Sequence, residues 1–249
     1  MTVVAILQAR ASSTRLPGKV LLPILDKAML ERQVERVLRC KTLNSLIIAT
    51  SENSSDDAIA ELAKGLDLAC YRGSLDDVLD RFYQAALIVK PSHIVRLTGD
   101  CPLADSEVID RVVEHHIKSG VDYTSNVCPP TYPDGLDVEV MTFASLESAW
   151  NNAQLPSERE HVTSYIRKPD AGYKLENVKN KEDLSHLRWT VDEQEDFNFV
   201  SEVYRQLYTL NPLFTTEDVL KLIEIQPEIA SINQKFERNE GYTQSLLKD

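Results

Sequence analysis

The chain has 249 residues, with 39 acidic and 27 basic side chains and a formal net charge of −12. This balance disfavours nucleic-acid binding, which needs clustered Lys and Arg over a broad surface. No stretch approaches the roughly 20 apolar residues of a membrane span, and the first residues lack the basic region and cleavage site of a signal peptide. We therefore expect a cytoplasmic protein without a membrane or nucleic-acid partner, folded as a single domain over residues 1–249.

Short apolar runs alternate with amphipathic segments through the first half of the chain. The apolar runs predict buried strands at 3–7, 46–50, 68–71 and 93–97. Apolar residues at helical spacing predict helices at about 29–38, 54–62, 75–86 and 108–113. This alternation favours an α/β fold: a mostly parallel, Rossmann-like sheet with right-handed crossovers and helices on both faces.

The pattern changes after Val121. Three prolines interrupt the chain between 129 and 133, Asp134-Gly135 predicts a tight turn, and residues 137–140 alternate like a strand with one face in water. We interpret a segment of about 121–170 as a β-containing insertion that covers the sheet edge or contacts a partner. The α/β pattern returns with a predicted strand at 187–191 and helices through Leu207 and around Val219.

The loop after the first predicted strand is basic. Its sequence, QARASSTRLPGK at 8–19, contains Arg10, Arg15 and Lys19, and no acidic residue precedes Asp26. Cations, hydroxyl groups and backbone N–H groups together suit a polyphosphate. The motif is neither a Walker A loop nor a Rossmann glycine motif. The alternative is an exposed loop whose arginines pair with the abundant carboxylates of an acidic protein.

Two other predicted strands end in acidic segments, TGDCP at 98–102 and TVDEQED at 190–196. Ligands of such folds bind beyond the carboxyl ends of the strands, so all three segments could face one crevice. Mg²⁺ is commonly held by one or two carboxylates together with substrate phosphates. Asp100 and Asp192 therefore predict a magnesium-nucleotide site. The alternatives are a turn or cap for Asp100 and, for Asp192, a helix N-cap that forms a capping box with Glu195.

The basic loop, ILQARASSTRLPGK, closely resembles the nucleotide-binding loop of the cytidylyltransferases that activate acidic sugars as CMP conjugates, including the 3-deoxy-manno-octulosonate and acylneuraminate enzymes. The closest resemblance is to the branch typified by spore coat polysaccharide biosynthesis protein F. It is carried by RGSLDDVLDRF at 72–82, RLTGDCPL at 96–103, DGLDVEV at 134–140 and EREHVT at 158–163. The resemblance implies a nucleotidyltransferase fold of one domain, dimerised through an inserted arm.

The resemblance also implies roles for particular residues. The nucleotide CTP would be bound by Ala9, Arg10, Ser12, Ser13, Thr14, Arg15, Lys19, Arg72 and Thr98. Asp100 and Asp192 match the metal positions of the family, with Mg²⁺ as the expected cofactor. The reaction would be in-line attack of an acceptor oxygen on the α-phosphorus of CTP with release of pyrophosphate, and Arg15, Lys19 and Asp100 would be catalytic. The residues identify no general base.

A second polar cluster is expected to bind the sugar acceptor through Asp137, Glu139, Arg159 and His161. Its acidic groups favour an amino or hydroxyl-rich acceptor, and Gln8 replaces the proline usual in sialic-acid enzymes, which argues against a sialic-acid substrate. The alternatives are a hairpin turn at Asp134-Gly135, a solvated strand face, and a capping box formed by Ser157 and Glu160.

Two other functions are open alternatives. A glycosyltransferase of similar architecture would use a nucleotide sugar, but such enzymes usually place D-x-D at a strand end, and this chain has Gly99-Asp-Cys101 there. A non-catalytic scaffold would bind the nucleotide without turnover. Cys101 is interpreted as a packed thiol because no histidine is placed to activate it, and His115-His116 as a helix surface pair because no H-E-x-x-H motif surrounds it.

Overall fold

The computed structural model describes residues 1–236 and Arg238 of the chain. The strands are β1 (Val3–Gln8), β2 (Pro23–Ile24), β3 (Lys27–Ala28), β4 (Ser45–Ser51), β5 (Ala69–Gly73), β6 (His93–Thr98), β7 (Tyr123–Ser125), β8 (Glu139–Thr142) and β9 (Leu175–Asn177). The α-helices are α1 (Met29–Val37), α2 (Asp57–Gly65), α3 (Val78–Leu87), α4 (Ser106–Ser119), α5 (Phe143–Asn152), α6 (Pro156–Glu160), α7 (Gln194–Leu207), α8 (Thr216–Ile225) and α9 (Pro227–Ala230).

Seven strands form one sheet in the order β5-β4-β1-β6-β8-β7-β9. Strands β1, β4, β5 and β6 pair in parallel, β8 is antiparallel to both of its neighbours, and β9 is parallel to β7. Because β8 alone reverses direction, the carboxyl ends of the other six strands and the amino end of β8 share one edge. This edge, which we call the carboxyl edge, is where the polar segments of the sequence lie.

Helices cover both faces of the sheet. Alternate residues of β1 divide between two cores: Ala5 and Leu7 pack with apolar residues of α1, α4 and α7, whereas Val4 and Ile6 pack with those of α3 and α5. A continuous apolar strand is buried on both faces in this way. The predicted fold class, a mostly parallel α/β sheet with helices on both faces, is confirmed.

The second half of the chain differs from the prediction. Residues 187–191 do not form a sheet strand; among the described residues they make a single bridge, from Arg188 to Asp134. The tight turn predicted at Asp134-Gly135 is present, because the N–H of Leu136 donates to the carbonyl of Pro133 at 3.1 Å, but it packs on residues 189–190 and does not join two paired strands, so it is not a hairpin. The strand expected at 137–140 begins at Glu139, and β7 and β9, each three residues long, were not predicted.

The segment 121–170 supplies β7 and β8 to the main sheet, and its helices α5 and α6 pack beside α3. Among the helices of the described residues, none combines the length and apolarity that a membrane crossing requires.

Gly135 is required by a close approach of two backbones. Its φ is +108°, and an added Cβ would lie 2.5 Å from the backbone nitrogen of Thr190. Because backbone atoms cannot move aside, we expect Gly135→Ala to lower the free energy of unfolding by about 2–4 kcal/mol. Gly120→Ala is the matched control: φ is +64° there and nothing lies within 4 Å, so about 1 kcal/mol is expected. Equal losses in urea denaturation would contradict the packing argument.

Candidate active site

The basic loop and both aspartates meet at the carboxyl edge. The Nζ atom of Lys19 donates to Asp192 Oδ1 at 2.8 Å, to the carbonyl oxygen of Val191 at 2.6 Å and to Asp100 Oδ2 at 3.4 Å. Lys19 begins a 3₁₀ turn directly after the loop, Asp100 lies two residues beyond β6, and Asp192 precedes α7. One ammonium group therefore joins three segments that are far apart in the sequence.

The charges of this cluster stabilise one another. Burial opposes the charge on Lys19, which is only 8% exposed, but the carboxylates of Asp100 and Asp192 outweigh burial and raise its pKa. For Asp100, burial opposes the charged form, and the nearby ammonium of Lys19 lowers the pKa below its ordinary value. Lys19 is therefore a cation and Asp100 an anion at neutral pH.

Residues 10–15 of the basic loop are more exposed than Lys19. Arg15 contacts Asp192 Oδ2 at 3.0 Å and Glu193 at 3.5 Å. Arg10, Ser12 and Thr14 are exposed and Ser13 is half-buried, so this part of the loop presents its cations and hydroxyl groups to solvent. The alternative prediction, that loop arginines pair with carboxylates, is confirmed for Arg15, but one of its partners is a predicted site aspartate.

Ala9 directly follows β1, and Thr98, which pairs with Gln8, ends β6. The N–H of Ala9 donates to the carbonyl of Ala49, and the Thr98 carbonyl accepts from Gln33 Nε2 at 2.7 Å. An added Cβ on Gly99, the residue after Thr98, would lie 3.0 Å from the Cβ of Ala9. The start of the loop is therefore packed closely against β6.

Asp192 does not cap α7. The N-cap residue is Glu193, which forms a capping box with Asp196; the Oδ2 atom of Asp196 accepts from the N–H groups of Asp192 and Glu193, both at 2.9 Å. The capping box predicted from Asp192 and Glu195 is therefore wrong in both residues. The carboxylate of Asp192 therefore remains available to Lys19 and Arg15. Arg188 also donates from Nη2 to Asp192 Oδ2 at 3.3 Å, and from Nε to Asp196.

Asp56 anchors the basic loop, and the sequence analysis missed it. Its Oδ1 atom accepts from the N–H of Ala11 at 2.7 Å, and its Oδ2 atom accepts from the N–H and hydroxyl of Ser51 and from Thr50. Burial opposes the charge, but these hydrogen bonds lower the pKa of Asp56. The run Ser54-Ser-Asp-Asp57 signals a helix start, but it does not reveal a contact with residue 11.

Arg72 is held beside this anchor. Its guanidinium donates to the carbonyl oxygens of Ser51 and Asn53, both at 2.9 Å, and contacts Asp57 at 2.7 Å. The predicted nucleotide-binding residue therefore also fixes the segment that follows β4.

The predicted acceptor residues are dispersed. Asp137 accepts from Arg238 at 2.6 Å. Asp137 lies beside Asp134. Burial and the charge of Asp137 raise the pKa of Asp134 to about 7. The charge of Asp100 acts on both, so this acidic pair adjoins the Lys19 cluster. Arg159, in contrast, makes a bidentate contact with Asp77 at the start of α3.

Glu139 is buried, so its interpretation as part of a solvated strand face is wrong. Its carboxylate accepts from Arg96, from the Tyr123 hydroxyl at 2.5 Å and from Thr163 at 2.6 Å. Burial opposes its charge, but Arg96 and the other donors lower the pKa to about 2. His161 is half-buried in the same region, and burial lowers its pKa, so it is neutral at pH 7.

The capping box expected from Ser157 and Glu160 is wrong in both residues, because the N-cap of α6 is Leu155 and its partner is Glu158. Glu158 accepts from the N–H groups of Gln154 and Leu155, at 2.8 and 3.1 Å. Glu158 is therefore committed to the start of α6.

A parallel α/β sheet, with an anchored cationic loop after its first strand and two aspartates around one lysine at the carboxyl edge, defines a protein of the nucleotidyltransferase class. The cytidylyltransferase family model matches residues 4–231. The chain belongs to the cytidylyltransferase family, and this membership disfavours the glycosyltransferase alternative.

Two relatives match nearly the whole chain. A Methanocaldococcus jannaschii protein described only as uncharacterized is 37% identical over 246 residues, covering 97% of this chain and 98% of its own. The spore coat polysaccharide biosynthesis protein SpsF of Bacillus subtilis is 32% identical over 238 residues, covering 91% and 95%. The predicted resemblance is confirmed by these matches.

Solved structures agree with the fold. A cytidylyltransferase from Leptospira borgpetersenii superposes with a TM-score of 0.89 at 33% identity, covering 96% of this chain and all of the other. CMP:2-keto-3-deoxy-manno-octonic acid synthetase, solved in complex with CTP, superposes with a TM-score of 0.63 at 16% identity, covering 83% and 99%. The second likeness shows a shared fold.

Replacing Asp56 tests the anchor of the basic loop. Asp56→Asn keeps one acceptor oxygen and turns the other into a donor that faces the donors of Ser51 and Thr50. We expect a loss of about 1–3 kcal/mol in the free energy of unfolding at pH 7. The folded pKa is lowered, so this contribution is complete above the unfolded value of 3.8 and is lost as the pH falls below it.

The neighbouring Asp57→Asn is the control, because it removes only an exposed ion pair with Arg72, worth about 0–1 kcal/mol. Denaturant unfolding at pH 7 measures both variants. An Asp56→Asn protein as stable as Asp57→Asn would show that the anchor is not needed for the fold.

Proposed function

We propose that the protein transfers CMP from CTP to a sugar or sugar-acid acceptor, with release of pyrophosphate, in the biosynthesis of a cell-surface polysaccharide or glycan. The observation that carries the proposal is the Lys19 ammonium held between Asp100 and Asp192 at the end of the cationic loop. Family membership and the relatives' roles in polysaccharide and CMP-sugar synthesis support it.

The chemical step is displacement at the α-phosphorus. An acceptor oxygen forms a bond to phosphorus, the bond to the β-phosphate oxygen breaks, and the acceptor proton is lost to solvent. The obstacle is repulsion between the triphosphate and the incoming oxygen: two unit charges 4 Å apart interact by about 4 kcal/mol at an effective dielectric constant of 20. Arg15 and Lys19 would lower it by stabilising charge on the leaving pyrophosphate.

Asp100 and Asp192 fit a magnesium ion. Their carboxylates already stabilise one cation, the Lys19 ammonium, and two carboxylates completed by phosphate oxygens and water are an ordinary magnesium donor set. Over the described residues, no group of three or more His, Cys, Asp or Glu side chains forms a self-sufficient metal site. When bound, Mg²⁺ would neutralise phosphate charge. We propose Mg²⁺ as the cofactor on this ground.

Arg10, Ser12, Ser13, Thr14 and Arg72 are proposed to complete the nucleotide site with Ala9 and Thr98, because all lie in or directly after β1, β5 or β6 at the carboxyl edge. We also propose a cytoplasmic homodimer, in keeping with the family resemblance.

An acceptor screen tests the reaction itself. The full chain is incubated with Mg²⁺, each of the four nucleoside triphosphates, and a panel of neutral sugars, amino sugars and sugar acids that includes 3-deoxy-manno-octulosonate and N-acetylneuraminate. We expect pyrophosphate release with CTP and at least one acceptor. Tight CTP binding without pyrophosphate across the panel would instead favour the non-catalytic scaffold, and nucleoside diphosphate release from a sugar donor would favour a glycosyltransferase.

Asp100→Asn tests the site. Removing the carboxylate charge while keeping its shape should lower kcat by roughly 10²–10³-fold, the value of one electrostatic donor. It should also raise the Mg²⁺ concentration needed for half-maximal rate. The control is Asp67→Asn, because Asp67 is exposed on the turn between α2 and β5. An Asp100→Asn enzyme with the wild-type rate and magnesium dependence would contradict the proposed role.

A further inference from the structure

Asp192 is not held in place by strand pairing. Within the described residues, the segment 187–191 that leads to it makes a single bridge, from Arg188 to Asp134. Asp100, in contrast, lies two residues beyond β6, a strand that is paired on both sides. A carboxylate that binds a metal ion is itself oriented by hydrogen bonds. Other contacts therefore have to fix Asp192.

Arg188 orients the side chain of Asp192. Its Nη2 atom donates to Asp192 Oδ2 at 3.3 Å. The same guanidinium makes a double contact with Asp196, from Nε to Oδ1 and from Nη2 to Oδ2, both at 2.9 Å. Two parallel hydrogen bonds fix the plane of a guanidinium group. The contact that Arg188 makes with Asp192 therefore has a fixed direction.

The charges of Arg188 and Asp196 offset each other. Burial opposes both charges, but the contact between the two groups raises the pKa of Arg188 and lowers the pKa of Asp196, so both are charged at neutral pH. The shorter, double contact of the guanidinium is the one with Asp196. Arg188 can therefore hold Asp192 in one orientation and leave most of the Asp192 charge for a metal ion.

Asn233 completes this network from the C-terminal part of the chain. It is only 2% exposed, and it lies after α9, 37 residues beyond Asp196. Its Nδ2 atom donates to Asp196 Oδ1 at 2.8 Å and to the carbonyl oxygen of Arg188 at 2.9 Å. One amide group therefore fixes both the carboxylate that orients the guanidinium and the backbone that carries it.

We propose that Arg188, Asp196 and Asn233 are positioning residues of the magnesium site, which hold the carboxylate of Asp192 where Mg²⁺ would bind. The C-terminal segment that carries Asn233 is then part of the site, although it supplies no metal ligand. The inference rests on the proposed function, which names Asp192 as a metal ligand. Loss of contacts that orient a ligand typically weakens metal binding by about 10–100-fold.

Arg188→Lys tests the orienting contact. It keeps the positive charge, but one ammonium group cannot reproduce the double contact with Asp196 together with the contact with Asp192. We expect the variant to bind CTP about tenfold more weakly in excess Mg²⁺, and as tightly as the wild type in EDTA, because the basic loop is unchanged. Calorimetric titration of the full chain without acceptor measures both affinities. The control is Arg205→Lys, because Arg205 is exposed on α7 and pairs with Glu202.

Asn233→Ala tests the contribution of the C-terminal segment. It removes both amide contacts and leaves the double contact between Arg188 and Asp196 in place. We expect CTP binding to weaken several-fold in Mg²⁺ and to stay unchanged in EDTA. Asn198→Ala is the matched control, because Asn198 is exposed on the helix that carries Asp196. All titrations are made at a temperature at which circular dichroism shows every variant to be folded.

The outcomes separate the positioning role from the magnesium site. Wild-type affinities in both variants, while Asp192→Asn loses the effect of Mg²⁺, overturn the positioning role and leave the magnesium site intact. Equal losses in Mg²⁺ and in EDTA also overturn it, because they show that the network only maintains the fold. If Mg²⁺ does not strengthen CTP binding by the wild type, or if Asp192→Asn binds CTP like the wild type, the magnesium site is wrong and the positioning role is wrong with it.

Discussion

The site depends on the ion pairs of Lys19. This one ammonium contacts carboxylates 81 and 173 residues further along the chain, and it is almost completely buried. A buried charge is tolerated only when it is paired, because removing one partner leaves the others uncompensated. The loop after β1, the end of β6 and the segment before α7 are therefore held in one arrangement, and the remaining loop groups are positioned relative to that point.

The same pairs indicate what substrate binding would have to change. In the structure, Lys19 and Arg15 pair with the carboxylates of Asp100, Asp192 and Glu193. In the proposed reaction, the triphosphate would pair with Lys19 and Arg15, and Asp100 and Asp192 would hold Mg²⁺, so each of these charged groups would exchange one oppositely charged partner for another. An exchange of this kind leaves no charge unpaired, which keeps the cost of desolvating the site low.

The parallel half of the fold could be predicted because each of its strands is a short, mostly apolar segment between helices that carry an apolar stripe. The second half could not be predicted in the same way. Strands β7 and β9 have three residues each, too few for a periodic signal, and the segment 187–191 packs on Gly135 instead of pairing as a strand. At the site, charge pattern and resemblance singled out Lys19 and Asp192. They did not find Asp56, because its partner lies 45 residues away on another element.

Glu139 shows why acidic residues in a motif do not by themselves define the charge preference of a pocket. By sequence it was expected to contact the acceptor, and its charge argued for an amino group there. In the fold its carboxylate is buried among Arg96, Tyr123 and Thr163 and close to Arg167, so its charge is balanced before any ligand arrives. A carboxylate that is already paired cannot select a ligand by its charge, so the position of Glu139 in the matched motif does not favour an amino group over an anionic one.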